Sequence, residues 1–222
     1  MNTGIIYITY GNIYTNLAIK SIQSLRQHSK LPIIVYQINA YNRENEFNEL
    51  GCLCLVVPML NVQPARACHL AKYTAFRTTP FDKFLYLDAD TIINEDITYL
   101  FNKTQNNNIV GVNDKQEISE LSAKFTQKTL MDNLGINYHV ANKYPPLLNC
   151  GVLCMTGNVA RKLGRSIPII KEDIHKSLVL NAAIIKSDVT VILVSDKYNG
   201  RLANNPIWHI KRDNHDELLQ TT

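Results

Sequence analysis

The sequence predicts an α/β layer fold with a mainly parallel central sheet, on three observations. Short apolar runs of strand length alternate with stretches of helical period along most of the 222 residues. Apolar residues make up 45% and charged residues 19%, with only nine glycines and eight prolines, a balance that excludes disorder, collagen and coiled coil. There is no internal repeat and no low-complexity tract beyond Asn106–Asn108, so nothing suggests a boundary at which to cut the chain. A chain of this length buries about 70% of its unfolded surface, and needs no disulfide or metal to stand.

Gly4–Thr9 is the first strand, with Gly11-Asn12 as the turn after it. From Asn16 to Gln27, Leu17, Ile19, Ile22 and Leu25 recur at mostly helical spacing with no Pro or Gly between them. Pro32–Ile38 and Cys52–Val57 are the next strands. Pro64 opens a helix, because the N–H it lacks would have no partner in the first turn; Leu70, Tyr73 and Phe76 carry it toward Pro80. Phe84–Leu87 is a short apolar strand that stops in Asp88-Ala89-Asp90. Ile109–Val112 and Gly151–Met155 add strands, Val159–Leu163 and Asp173–Ile185 are helical, and Val189–Val194 is a late strand. Asn133–Leu147 has no clear period and two prolines, and reads as a loop lining a site.

The net charge is +4 with bases and acids interspersed; no basic stripe points to nucleic acid, and a small anionic ligand suits the balance equally well. No apolar run approaches the ~20 residues of a membrane span, and no basic-then-apolar leader opens the chain, so the expectation is a soluble, cytoplasmic protein. Cys52, Cys54, Cys68, Cys150 and Cys154 are odd in number and lack the paired C-x2-C spacing of a zinc ribbon; they are expected as buried thiols.

The chemistry concentrates at the end of Phe84–Leu87. In open α/β sheets, ligands bind beyond the carboxyl ends of the strands. Residues two apart on extended backbone point the same way, so Asp88 and Asp90 can converge on one point. Two adjacent carboxylates repel unless something positive lies between them, and Mg²⁺ or Mn²⁺ suits oxygen ligands. The other reading is a surface turn or helix cap, a role Asp fills well.

Asp88-Ala89-Asp90-Thr91 resembles two families: the metal-dependent GT-A glycosyltransferases, with D-x-D ending a strand near mid-domain, and the haloacid-dehalogenase-like phosphatases, with D-x-D-x-T after the first strand. Some eighty residues of strand and helix precede the motif here, and Ser195-Asp196-Lys197 offers a single Asp where the phosphatases need an acidic pair. From about Ile5 to His209 the chain resembles glycosyltransferase family 8, the glycogenin-like and bacterial galactosyltransferase-like retaining enzymes, on motifs in matching order.

That resemblance implies a single GT-A (Rossmann-like) domain over 1–222 with helices on both faces of the sheet, its nucleotide-binding part about 1–112 and its sugar and acceptor part about 113–222. It implies transfer of a hexose from a UDP-sugar, glucose or galactose, with retention, to a glycan, protein or lipid-linked acceptor. Thr9, Tyr10, Gly11 and Tyr14 then hold base and ribose, Ala89 lies with them in the D-x-D, and Lys72 and Lys211 face phosphate. Asp114, Asn149 of Asn149-Cys150-Gly151-Val152, and Gly151 itself meet the donor sugar.

Asp88, Asp90 and His209 hold the metal, and the imidazole shifts the preference toward Mn²⁺; His215 is the alternative histidine, and the other reading of His209 is a core residue. The chain departs from the family in two places. Ile210-Lys211-Arg212-Asp213 replaces the usual residues after the histidine, and alignment on Leu180-Asn181 puts Lys176 and Ser177 where members carry Asp-Gln. Glu172 and Asp173, one turn earlier, are the candidate catalytic carboxylates or else complement a helix N-terminus. The missing pair also motivates a third possibility, an inactive nucleotide-sugar-binding relative.

Overall fold

The computed structural model describes residues 2–38, 43–58, 64–114, 147–166, 176–210 and 215, with backbone alone at 64–66 and 176–178. In chain order the described elements are β1 Thr3–Tyr10, α1 Gly11–Arg26, β2 Ile33–Ile38, α2 Glu44–Glu49, β3 Cys52–Val57, α3 Pro64–Thr78, β4 Lys83–Leu87, β5 Thr91–Ile93, α4 Thr98–Lys103 and β6 Asn108–Asn113. Then come β7 Leu148–Thr156, α5 Gly157–Ser166, α6 Lys176–Lys186, β8 Thr190–Val194, a 3₁₀ turn Asp196–Asn199, and β9 Ile207–His209.

Seven strands form one sheet in the order β3-β2-β1-β4-β7-β6-β8. β1 lies parallel between β2 and β4, with Ile5 opposite both Ile33 and Leu85. β2–β3 and β6–β8 are also parallel; β7 alone runs antiparallel to both its neighbours. The sheet is therefore mostly parallel, as the alternation predicts.

The period of two along a strand divides the apolar residues between two layers. Ile6, Ile34, Phe84 and Tyr86 pack with Ala71 and Phe76 of α3, Val159 and Leu163 of α5, and Leu180 of α6. Ile5, Tyr7, Val35, Leu85 and Leu87 pack on the other face with Leu25 of α1, Phe47 of α2 and Phe101 of α4. Helices cover both faces, which is why the central strands read as continuous apolar runs rather than alternating ones.

At Gly11 the structure departs from the expected turn. Its φ of +67° swings the chain from strand to helix within one residue, so α1 starts there rather than near Asn16. β5, α2 and α4 also lie outside the predicted elements; α2 buries only Phe47, too little to show a period. Residues 133–146 of the predicted loop, and the start of the helix predicted from Asp173, fall outside the described residues.

Gly4 of β1 is set by contact. A Cβ there would lie 2.1–2.5 Å from three ring atoms of Phe81, itself only 4% exposed. Gly4→Ala is expected to overpack this layer and cost about 1–3 kcal/mol. At about 2–4 °C per kcal/mol, a thermal melt should drop by several degrees; an unchanged melt would mean the ring moves aside freely.

Candidate active site

The sheet brings the candidate residues to one edge. Parallel β1, β2 and β4 end there together. β7, being antiparallel to β4, begins there: Leu87 pairs with Val152, and the next step of the ladder is the Asp88 N–H donating to the Gly151 carbonyl at 2.8 Å. Asn149 and Gly151 thus stand beside Asp88 although some sixty residues separate them in sequence.

Asp88 is held from three sides. The Tyr86 hydroxyl donates to its Oδ1 at 2.5 Å, and Lys72 Nζ lies 3.4 Å from the same oxygen. Lys72 is 7% exposed, donates to the Cys150 carbonyl at 2.9 Å, and sits 4.1 Å from the centroid of the Tyr86 ring. Burial first, and the Asp88 charge second, push the Tyr86 phenol well above its usual range, so it stays a donor. Thr91 secures the turn: its hydroxyl donates to the Asp88 carbonyl at 2.8 Å and meets Ser21 Oγ at 3.0 Å, which in turn meets the Tyr7 hydroxyl at 2.9 Å. Fully buried and so engaged, Thr91 is not presented to a substrate as the phosphatase motif would need.

The small ribbon β5–β9 fixes the other half. Thr91 pairs with His209, and the Ile210 N–H donates to the Asp90 carbonyl at 2.8 Å, so the ladder itself places the histidine beside the second carboxylate. His209 Nε2 lies 3.2 Å from Asp90 Oδ1. One ligand atom each from Asp88, Asp90 and His209 falls within 4.8 Å of the others, and no other such group occurs among the described residues. Burial alone would lower the His209 pKa; the hydrogen bond and charge of Asp90, with Asp88 behind them, outweigh it and hold it above its ordinary value.

His215 reaches the same carboxylate, with Nε2 3.3 Å from Asp90 Oδ2 but off hydrogen-bond geometry. Its ring, 5% exposed, meets Tyr14 edge-on at 5.8 Å.

A donor set of two carboxylates and one imidazole fits a divalent cation of the Mn²⁺ or Mg²⁺ kind. Gly151 leaves room for it: a Cβ there would lie 2.9 Å from His209 Cε1 and 3.1 Å from Asp88 Oδ2.

Beside this group opens a cavity of about 470 Å³, lined by Asp114, Asn149, Asn199, Arg201 and Asn205 among others. Asp114 and Asn149 were expected to share a sugar site, and they share this wall. Asn199 was not anticipated. Its Oδ1 is 2.7 Å from His209 Nδ1 and its Nδ2 is 2.7 Å from Asn149 Oδ1.

Of the other candidates, Thr9 is fully buried, Ala89 is 5% exposed, and Tyr10 and Gly11 are partly exposed at the end of β1, while Tyr14 is 37% exposed on α1. Lys72 is turned inward to Asp88, more enclosed than a surface phosphate ligand would be. Glu172, Asp173 and Lys211 lie outside the described residues.

A family of mannosyltransferases (Mannosyl_trans3) matches residues 2–108, which run from β1 into β6 and include Asp88 and Asp90. Among solved structures, the chain superposes on the galactosyltransferase LgtC, solved with donor and acceptor sugar analogues, with a TM-score of 0.65 at 14% identity over 99% of this chain and 96% of that one. Mouse xyloside xylosyltransferase 1 gives 0.59 at 11% identity over 96% and 99%. The glycosyltransferase GlyE of Streptococcus pneumoniae gives 0.59 at 16% over 95% of this chain, which spans only 55% of GlyE. No curated protein matches the chain in sequence. The fold is that of the GT-A glycosyltransferases, resembling family 8, and family match and neighbours together support a glycosyltransferase. No described helix is long and apolar enough to cross a membrane.

Proposed function

We propose that this chain is a metal-dependent glycosyltransferase that moves a hexose from a nucleoside-diphosphate sugar to an acceptor hydroxyl. The observation that carries the reading is the Asp88–Asp90–His209 group at the carboxyl edge of a GT-A sheet, directly beside a cavity that Asn149 and Asp114 line. In the reaction the bond from the sugar's C1 to the diphosphate breaks, a bond from C1 to the acceptor oxygen forms, and the acceptor's proton passes to a phosphate oxygen of the departing diphosphate. Bound between the two carboxylates and the imidazole, Mn²⁺ or Mg²⁺ supplies Lewis-acid stabilisation of the departing diphosphate.

The chain's own residues do the rest. Lys72 and the Tyr86 hydroxyl hold Asp88 in place, and the lysine charge adds to the field at the leaving group. Thr9, Tyr10, Gly11, Tyr14 and Ala89 take the nucleoside side, with Lys211 on phosphate. Asp114, Asn149 and the Gly151 backbone take the sugar hydroxyls. Glu172 or Asp173 provides the carboxylate near the anomeric carbon, with retention the expected outcome. The resemblance to family 8 favours a uridine donor with glucose or galactose, while the mannosyltransferase match makes a mannose nucleotide the second candidate.

Incubation with a panel of UDP- and GDP-sugars, assayed for released nucleoside diphosphate with Mn²⁺ and with chelator, tests this. Release from one nucleotide-sugar, lost on chelation, is the expected result. Turnover of simple phosphate esters with none of any nucleotide-sugar would replace the reading with a phosphohydrolase, and tight binding without cleavage would mark an inactive relative.

A further inference from the structure

One chain of polar contacts leads from the cavity wall to the cation site, and its polarity is set by a single backbone amide. The Gly151 N–H can only donate, so the atom of Asn149 that meets it at 2.9 Å is the carbonyl Oδ1. The same Oδ1 faces Asn199 at 2.7 Å, so Asn199 presents its Nδ2 there. The other end of that planar amide, Oδ1, then faces His209 Nδ1 at 2.7 Å and accepts its proton. With Nδ1 as the protonated nitrogen, Nε2 is the ring atom that can offer a lone pair, and Nε2 is the one turned toward Asp90. Such outer partners commonly fix the ring and tautomer of a metal-binding histidine.

We infer that Asn199 is a positioning residue that couples the two halves of the site: through one amide it sets the tautomer of His209 for a divalent cation and the orientation of Asn149 for the sugar. The inference rests on the proposed function. Its place in the fold suits the role. Asn199 ends the 3₁₀ turn Asp196–Asn199, whose position is tied to β9 by the Gly200 N–H to Ile207 carbonyl (3.0 Å) and His209 N–H to Gly200 carbonyl (2.8 Å) bonds. The amide cannot rotate to exchange its ends without setting Nδ2 against the Nδ1 proton of His209 and Oδ1 against Oδ1 of Asn149.

Two variants separate the ends. Asn199→Asp keeps an acceptor for His209 and removes the donor to Asn149; Asn199→Leu removes both. Mn²⁺ affinity is read from the electron paramagnetic resonance of free Mn²⁺ without nucleotide, and donor affinity by calorimetry with UDP-glucose and GDP-mannose. Asn199→Leu is expected to weaken Mn²⁺ binding roughly 10–100-fold. Asn199→Asp is expected to leave Mn²⁺ binding within about threefold while weakening the donor about tenfold or more, as suits a partner that acts on one ligand at a time. Thermal melts of both variants accompany the titrations. Any other pattern overturns the inference: no change in either variant, both affinities falling together with the melting temperature, or loss of the cation in Asn199→Asp. A parent protein that binds no Mn²⁺ would instead sink the proposed cation site, so the two failures are distinguishable.

Discussion

Asp88→Asn and Asp90→Asn should each lower nucleotide-sugar turnover by about three orders of magnitude or more while leaving the fold intact. The size follows from the charge removed. A divalent ion that stabilises a leaving diphosphate is worth several kcal/mol, and about 4 kcal/mol is a thousandfold in rate. The two carboxylates do not contribute alike. Asp88 is tied to Lys72 and to the Tyr86 hydroxyl, so its neutralisation also leaves the buried lysine without its counter-ion. Asp90 faces His209 and His215, and its neutralisation removes the negative charge that lies 3.2 and 3.3 Å from their Nε2 atoms. Both side chains retain some solvent contact, and the backbone bonds from the Asp88 N–H and to the Asp90 carbonyl survive either change. Circular dichroism should therefore match the parent. Turnover within tenfold of the parent in both variants would remove the carboxylates from the chemistry.

Gly151→Ala should be nearly as damaging to the site with one methyl group. The added Cβ would lie 2.9 Å from His209 Cε1, 3.1 Å from His209 Nδ1 and 3.1 Å from Asp88 Oδ2. Two of the three proposed ligands must move, and His209 is not free to do so because Asn199 and the β5–β9 ribbon hold it. A site displaced by a few tenths of an ångström binds a cation poorly, and a loss of about 10–100-fold in Mn²⁺ affinity is expected, comparable with removing an outer partner of a ligand. The backbone conformation itself tolerates alanine, since Gly151 does not take a positive φ. The melt should shift little while metal titration changes strongly. Unaltered Mn²⁺ affinity would show that the three ligands do not close around this point.

The central strands were legible because each is buried on both faces: Phe84–Leu87 is apolar throughout, and Ile33–Ile38 is apolar but for the buried Gln37. Asp88 and Asp90 were legible because carboxylates at the end of an apolar strand are conspicuous, and His209 because the last apolar segment carries it. What the sequence hid is what distance in the chain conceals. β7 runs antiparallel, which no local pattern reports, yet that direction is what delivers Asn149 and Gly151 to Asp88. Asn199 makes its contacts across 10 and 50 residues, from a polar turn like any other. Lys72 read as a phosphate-facing charge, since nothing nearby in sequence discloses that Asp88 and the Cys150 carbonyl enclose it. α2 and α4 are six-residue helices whose single buried faces amount to one or two residues each.

The proposed site is a divalent cation held by Asp88, Asp90 and His209, through which a nucleoside diphosphate binds. Its most direct test is the melting temperature with UDP, GDP and their sugars, each with Mn²⁺ and with chelator. A ligand at about a hundred times its dissociation constant stabilises by roughly 2.7 kcal/mol. At about 2–4 °C per kcal/mol, that is a shift of several degrees. Such a shift is expected with one nucleotide and its sugar in Mn²⁺, abolished by chelator and by Asp90→Asn. A shift of equal size in chelator, or none with any nucleotide, would contradict it.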